Sequence, residues 1–256
     1  GNLLWSADLS FLQDKYGAQT SNGAPALEDI DVDGDIEIIV PTQSGAVMVF
    51  DHNGNLVWTY ATDDAISSTP VVANFDPDNP GVEILFGSGD TYLYVLDRNG
   101  ELLWRRSTGW IIRGSPMLLD TDGDGFPEVF IGGEDKKVHA FHYWAETVEG
   151  WPQETEGAII SSPISGDIDE DGDQEILVSA EDGKLYAWHT DGTAVNDWPK
   201  QTGVTYKGSP VVMNADSDPA DEVFAADFGG SLVIIGAAQN DQLQQGTSIY
   251  IPFVTR

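Results

Sequence analysis

The chain repeats one sequence unit five times, and this repetition limits its possible folds more than any other feature. Five prolines stand 45 to 47 residues apart, and each is followed by a similar sequence. A fixed period in this range is typical of repeat architectures, in which each unit packs against its neighbours. The prolines that mark the units are Pro25, Pro70, Pro116, Pro163 and Pro210.

Within each unit the residue pattern predicts four short antiparallel β-strands. A short apolar run leads into an acidic loop, and a β-branched run such as EILFG or EVFIG follows it. An alternating segment such as YLYVL then leads into an Asn-Gly or Asp-Gly turn, which is a strong hairpin signal. Four short strands per unit are typical of a β-propeller blade. The outer segment of the unit carries a tryptophan: Trp58, Trp104, Trp151 or Trp198.

The five units predict an all-β fold, a five-bladed propeller that forms one domain over residues 1–256. The fifth unit has no outer tryptophan, whereas GNLLW around Trp5 matches the outer segment of the first unit. We therefore expect the N-terminal segment to supply the last outer strand and to close the ring, which removes open sheet edges. Alternatively, the strand-like tail SIYIPFV fills this position and the five blades are part of a larger ring. The predicted repeats span about 21–66, 67–112, 113–159, 160–206, and 207–256 together with 1–8.

An acidic loop with the frame D-x-D-x-D-G-x-x-E follows the first strand of units one, three and four. Oxygen donors at alternate positions surround one cation if the chain wraps around it, and the glycine permits the sharp turn. Ca²⁺ prefers about six to eight hard oxygen ligands, whereas Mg²⁺ requires tighter geometry and transition metals favour histidine or thiolate donors. The loops therefore predict three Ca²⁺ sites. The candidate ligands are Asp29, Asp31, Asp33, Asp35 and Glu37; Asp120, Asp122, Asp124 and Glu128; and Asp167, Asp169, Asp171, Asp173 and Glu175.

The loops of units two and five depart from this frame. Proline interrupts both loops, and asparagine replaces the first aspartate, so each loop loses a formal charge. We expect these sites to be weaker, which sets the number of Ca²⁺ sites between three and five. The candidate ligands are Asn74, Asp76, Asp78 and Glu83 in unit two, and Asn214, Asp216, Asp218 and Glu222 in unit five.

The acidic loop and the continuation G-x-L-Y-x-x-D-x-x-G-x-x-x-W resemble FG-GAP/VCBS repeats, the blades of integrin α-subunit propellers and of many bacterial surface proteins. The resemblance covers residues 21–238, and it implies structural Ca²⁺ in these loops on the lower rim of the propeller. The outer Gly-x-Leu-Leu/Val-Trp segment also resembles the repeats of quinoprotein-type propellers, but the residues of a cofactor site are not recognisable.

The composition excludes several classes of function. The chain has 43 acidic and 11 basic side chains and a formal charge of −32, which excludes sequence-independent binding of nucleic acid and disfavours anionic lipid surfaces. It has no cysteine, so it has neither a thiolate metal site nor a cysteine nucleophile. No apolar run reaches about eighteen residues, and we therefore expect no membrane insertion.

The sequence does not predict a catalytic residue. Familiar nucleophile, zinc-protease and nucleotide-binding motifs are absent, and the four histidines are expected to have structural roles. Paired carboxylates keep one alternative open, a polysaccharide-active enzyme of the glycosidase or lyase type, since rhamnogalacturonan lyases contain similar blades. A purely structural spacer is the other alternative. The histidines are His52, His139, His142 and His189.

A ligand site is predicted on the face opposite the acidic loops. There, the loops between units and the turns between second and third strands carry bulky or basic side chains, which are typical of binding faces. The alternative is that the aromatic side chains only cap the central channel. The sequence thus favours a non-catalytic recognition or adhesion module that binds a protein or a carbohydrate. We expect it to act outside the cytoplasm, as a monomer or as one module of a longer chain. The candidates are Trp110, Arg113, Lys136, Tyr206, Lys207 and Phe228.

Overall fold

A computed structural model describes residues 23–202, 208–215, 221–226 and 232–236. These residues form antiparallel β-sheets in sequence order, and none of them forms a helix long and apolar enough to cross a membrane. The first sheet contains β1 (Ala26–Glu28), β2 (Glu37–Pro41), β3 (Ala46–Phe50) and β4 (Leu56–Ala61). The second contains β5 (Val71–Ala73), β6 (Glu83–Gly87), β7 (Tyr92–Asp97) and β8 (Leu102–Ser107).

The remaining sheets follow the same plan. The third contains β9 (Met117–Leu119), β10 (Glu128–Gly132), β11 (Lys137–Phe141) and β12 (Gln153–Glu154). The fourth contains β13 (Ile164–Gly166), β14 (Glu175–Ser179), β15 (Lys184–Trp188) and β16 (Lys200–Gln201). In the fifth, the described residues form β17 (Val211–Met213), β18 (Glu222–Ala226) and β19 (Leu232–Ile235). Five separate sheets, each a meander, confirm the all-β fold and the five-fold repeat.

The described strands do not close the ring, because no strand of the fifth sheet is hydrogen-bonded to a strand of the first. The segments expected to do so, Trp5 with its neighbours and the tail 248–254, lie outside the described residues. Closure of a five-bladed ring therefore stays a prediction.

The outer tryptophans follow the predicted pattern only in part. Trp58 lies in β4 and Trp104 lies in β8, as predicted, whereas Trp151 and Trp198 precede the two-residue strands β12 and β16. A proline follows each of the latter two tryptophans. Because proline has no backbone N–H to donate to a sheet ladder, the outer strand of units three and four begins only after it.

Apolar side chains of the second and third strands form a separate core between each pair of neighbouring sheets. In β14, Ile176 and Val178 pack between the third and fourth sheets, whereas Leu177 packs between the fourth and fifth. Successive side chains of a strand point to opposite faces, so a continuous apolar run serves two interfaces at once. This explains why these strands read as unbroken apolar runs in the sequence.

A chain of backbone-to-hydroxyl hydrogen bonds also links the units, and it uses the residue just before each marker proline. The N–H of Ala24 donates to Thr69 Oγ1 (3.1 Å), and the N–H of Thr69 donates to Ser115 Oγ (2.9 Å). Ser115 N–H in turn donates to Ser162 Oγ, and Ser162 N–H to Ser209 Oγ, both at 2.8 Å. We call this series the hydroxyl relay. It joins all five units in order.

A second series of links lies among the outer tryptophans. The indole Nε1–H of Trp58 donates to Arg98 O (3.1 Å), that of Trp104 to Tyr143 O (2.6 Å), and that of Trp151 to Thr190 O (3.0 Å). Each indole therefore bonds to the unit that follows its own. The repeated tryptophan is thus a contact between units as well as an apolar side chain.

Removing one hydroxyl of the relay should destabilise the protein measurably. In Ser162→Ala the N–H of Ser115 loses its acceptor, and we expect the free energy of unfolding to fall by about 1 kcal/mol. Urea denaturation measures this change. Ser162→Thr is the matched control, because Thr69 occupies the same position in unit two; equal stability of the two variants would contradict the relay.

Candidate metal centre and the opposite face

One buried glutamate opens the second strand of every unit, and it fixes the acidic loop that precedes it. These glutamates are between 0% and 4% exposed. In each unit one side-chain oxygen accepts a backbone N–H from the start of the loop, at 2.6 to 3.1 Å. The donors and acceptors are Ile30 to Glu37, Phe75 to Glu83, Thr121 to Glu128, Ile168 to Glu175, and Ala215 to Glu222.

Burial raises the pKa of three of these glutamates. Removal from water raises the pKa of Glu37, Glu83 and Glu175 above the ordinary value, although the hydrogen bond from the loop backbone opposes this shift. The carboxylates of Asp169 and Asp171 raise the pKa of Glu175 further. The loop therefore concentrates negative charge around a carboxyl group that burial already disfavours as an anion.

In unit one the acidic loop wraps as the sequence predicts. Asp29 accepts the N–H groups of Asp33 and Gly34 at 3.1 and 3.0 Å, so the chain curls back onto the first aspartate. Gly34 has a φ of 97°, a left-handed conformation that favours glycine. Oxygens of Asp29, Asp31 and Asp33 lie within 4.8 Å of one another.

Unit three repeats this geometry, and unit four shares its left-handed glycine. Asp120 accepts the N–H of Gly125 at 3.0 Å, and Gly125 and Gly172 have φ values of 91° and 92°. Asp120, Asp122 and Asp124 form a cluster like that of unit one, and a cluster in unit four contains Asp169 and Asp171. Asp35, Asp167 and Asp173 belong to the same loops but lie outside these clusters.

Two histidines join the clusters, which the sequence analysis did not predict. His142 lies with Asp122 and Glu128, and His189 lies with Asp169, Asp171 and Glu175. A signal for this was present, because antiparallel pairing places the end of the third strand beside the start of the second, as in the pairing of Ile176 with Trp188. The residue after Trp188 must then lie near Glu175.

In unit two, residues of the loop donate hydrogen bonds to both oxygens of the buried glutamate. Glu83 accepts the N–H groups of Phe75 and Asp76, and its second oxygen accepts the amide of Asn79 at 2.7 Å. Within the described residues, the acidic side chains of this loop, Asp76, Asp78 and Glu83, do not form a cluster that could hold a metal ion. Asn74 belongs to the same loop, and Asn79 occupies one oxygen of Glu83.

In unit five, Glu222 receives the usual hydrogen bond from the loop backbone. Asn214 is also described, whereas Asp216 and Asp218 lie outside the described residues.

On the opposite face the structure places three of the predicted ligand residues on one loop and the turn that adjoins it. Trp110 is 58% exposed, and the carbonyl of the next residue, Ile111, accepts the N–H of Glu134 at 3.0 Å. This bond joins the loop between units two and three to the turn that contains the exposed Lys136. Tyr206, Lys207 and Phe228 lie outside the described residues.

A small pocket of about 150 Å³ opens beside this loop. Arg113 lines it, and its guanidinium donates to Glu134 at 2.5 Å. Because Arg113 is paired and Asp64 also lines the pocket, the pocket is not a site of free positive charge. Polar and apolar groups both contribute to its wall, which contains Gln43, Asp64, Ser67, Gly89, Ile112 and Arg113.

Comparison with known families agrees with this architecture. Residues 1–103 match the lambda-carrageenase β-propeller domain, and residues 120–178 match the FG-GAP-like repeat. The fold and its repeated acidic loops thus define a protein of the β-propeller class. Residues 120–178 carry the FG-GAP-like repeat, and this confirms the resemblance seen in the sequence. No curated protein matches the chain significantly.

Solved structures show the same fold at low sequence identity. BamB from Moraxella catarrhalis is 17% identical over 85% of this chain, with a TM-score of 0.63. The V. cholerae biofilm matrix protein Bap1 is 21% identical over 92% of it, with a TM-score of 0.69. BBS1N, in a complex with ARL6DN, is 12% identical over 92%, with a TM-score of 0.62. The chain spans 62%, 40% and 67% of these chains, respectively.

The contribution of the buried glutamate to stability can be tested in unit two, where the backbone and Asn79 supply three hydrogen-bond donors to Glu83. Glu83→Ala leaves two backbone N–H groups and the Asn79 amide without their acceptor, so we expect a loss of about 3 kcal/mol of stability. Chemical denaturation in the presence of a chelator measures it. Glu101→Ala, at an exposed position of the same unit, should change stability by less than about 0.5 kcal/mol. A loss for Glu83→Ala no larger than that of the control would contradict this role.

Proposed function

We propose that the chain is a calcium-stabilised, non-catalytic β-propeller module that binds a ligand on the face opposite its acidic loops. The observation that carries the proposal is the gathering of aspartate oxygens within 4.8 Å in units one and three, with a related cluster in unit four. These are the positions at which the sequence predicts Ca²⁺ ligands. Side chains placed this close repel one another unless a cation lies between them.

The donor set of the loops fits Ca²⁺. Asp29, Asp31 and Asp33 offer hard carboxylate oxygens on a loop that is held by backbone hydrogen bonds. Ca²⁺ accepts such oxygens in flexible geometry, and exposed modules of this kind bind it at the millimolar levels found outside cells. The location that we propose is therefore the cell surface, the extracellular space or the periplasm.

The ligand that we propose is a carbohydrate. One matching family is the propeller domain of lambda-carrageenase, and one similar structure is a biofilm matrix protein. Exposed tryptophan stacks on sugar rings as well as on protein side chains, and Trp110 is exposed beside a pocket with polar groups. BBS1N, which is structurally similar, is in a complex with a protein, so a protein ligand is the alternative outcome of a binding screen.

A polysaccharide-active enzyme is the second candidate function, because residues 1–103 match a domain of a carrageenase. Incubation with λ-carrageenan and measurement of new reducing ends distinguishes the candidates. The non-catalytic proposal expects no product above a heat-inactivated control, and steady release of oligosaccharides would overturn it.

Calcium should stabilise the folded protein. A ligand that binds only the folded state at 100 times its dissociation constant adds about 2.7 kcal/mol, so millimolar Ca²⁺ should raise the melting temperature by several degrees and a chelator should reverse the shift. Asp31→Asn/Asp33→Asn should reduce the shift, whereas Glu101→Gln, outside the loops, should not. An identical melting temperature with and without Ca²⁺ would count against calcium stabilisation.

The ligand face is tested by a glycan array followed by titration of the best binder. Trp110→Ala removes an exposed stacking surface, and we expect affinity to fall by roughly two- to tenfold, since stacking contributes roughly 0.5–1.5 kcal/mol beyond area burial. Trp144→Ala removes a tryptophan that is 45% exposed in unit three, near its acidic loop, and should leave affinity unchanged. Loss of binding in the Trp144 variant alone would move the ligand site to the other rim.

A further inference from the structure

We propose that His142 and His189 turn the loops of units three and four into mixed nitrogen–oxygen sites that bind a borderline divalent metal such as Zn²⁺. The loop of unit one, in contrast, keeps an all-oxygen set suited to Ca²⁺. The inference rests on the proposed cation-binding role of the acidic loops, and it gives the loops of units three and four a second metal that competes with Ca²⁺ there, whereas the loop of unit one binds Ca²⁺ alone.

The orientation of His189 carries the argument. Its Nδ1 lies 3.2 Å from Oε1 of Glu175, whose side chain is fully buried. The other oxygen of Glu175 accepts the N–H of Ile168, which favours the ionised carboxylate. An ionised carboxylate only accepts hydrogen bonds, so Nδ1 holds the proton and Nε2 keeps its lone pair. The lone pair is the part of the ring that binds metals.

The free nitrogen lies near a second candidate ligand. Nε2 of His189 is 4.0 Å from Oδ2 of Asp169, which is too long for a hydrogen bond. Tetrahedral zinc with bonds of about 2.0–2.1 Å places two ligand atoms roughly 3.3 Å apart, so the ring and the carboxylate draw together by roughly 0.7 Å when one zinc ion binds both. A carboxylate oxygen of Asp171 belongs to the same cluster, so one ion can bind the imidazole and two aspartates.

Glu175 acts here as a positioning residue. Its other oxygen accepts the N–H of Ile168 at 2.9 Å, so the carboxylate is held by the backbone of the loop. Metal-binding histidines usually donate their second ring N–H to such a carboxylate, which fixes the tautomer and the ring orientation. The buried glutamate of the repeat supplies this partner without further change.

Unit three repeats the pairing of an imidazole with the buried glutamate, but its cluster adds one aspartate where that of unit four adds two. His142 Nδ1 lies 3.1 Å from Oε1 of Glu128, which is 2% exposed, and Asp122 completes the cluster. The imidazole also stacks on Trp144, with ring centroids 4.2 Å apart and an interplanar angle of 3°. Stacking and the hydrogen bond together hold the ring in one orientation.

Unit one has no such nitrogen. The position that corresponds to His142 and His189 is Asp51, whose carboxylate accepts the N–H groups of Asn53 and Asn55 in the following turn. The neighbouring His52 lies 3.3 Å from Asp35, and both side chains are about half exposed. A buried glutamate does not orient this ring, so the loop offers a cation only oxygens.

The test is a ZnCl₂ titration of the chelator-treated whole chain, by calorimetry in about millimolar CaCl₂. The wild type should bind two Zn²⁺ in the presence of Ca²⁺, and His142→Asn/His189→Asn should weaken this binding by about 10- to 100-fold. Asparagine keeps an N–H for the buried glutamate but lacks the imidazole nitrogen. His52→Asn/His139→Asn is the matched control and should bind as the wild type does. Equal zinc affinity in the three proteins would overturn the proposal.

Imidazole nitrogen NMR of the wild type provides a readout that does not depend on a variant. The chain has four histidines, and zinc should shift the Nε2 signals of two of them. Zinc-induced shifts of His52 and His139 alone, or no shift at all, would overturn the proposal. Calcium melting of the double variant separates the two claims, since Ca²⁺ stabilisation through unit one should survive when zinc binding is lost.

Discussion

The hydrogen bond between a buried glutamate and the backbone of the preceding loop is the interaction on which the rest of the structure depends. It recurs in all five units, and it connects the start of the second strand to the end of the first. A buried carboxylate is costly unless it is hydrogen-bonded, and here the loop supplies the donors. The loop gains a fixed conformation in return, which lets its aspartates lie close together at the rim.

This arrangement separates the acidic side chains from the apolar cores. The apolar cores lie between neighbouring sheets, and they consist of second- and third-strand side chains. Many of the acidic side chains lie at the ends of these strands, where the loops reach solvent. The strong negative charge of −32 is therefore compatible with a well-packed interior, because many of the acidic side chains lie outside the apolar cores between the sheets.

The sequence predicted the parts of the structure that follow from local pattern. Alternation and Gly-containing turns predicted the strands, and the spacing of Asp29, Asp31 and Asp33 predicted that they approach one another. It did not predict contacts that depend on neighbouring strands or units. The bond of His189 to Glu175 needs the pairing of the second and third strands, and the effect of Asn79 on Glu83 needs the fold of an interrupted loop. Sequence spacing alone contains neither.

The hydroxyl relay has a consequence for how such molecules change in evolution. Every link joins equivalent atoms of adjacent copies, from the N–H before one marker proline to the hydroxyl before the next. Duplication or deletion of a whole unit therefore preserves all remaining links, whereas a shorter insertion moves donors away from their acceptors. The relay thus favours growth and shrinkage of the molecule in steps of one blade, and it makes the number of blades an evolutionary variable that leaves the packing rules unchanged.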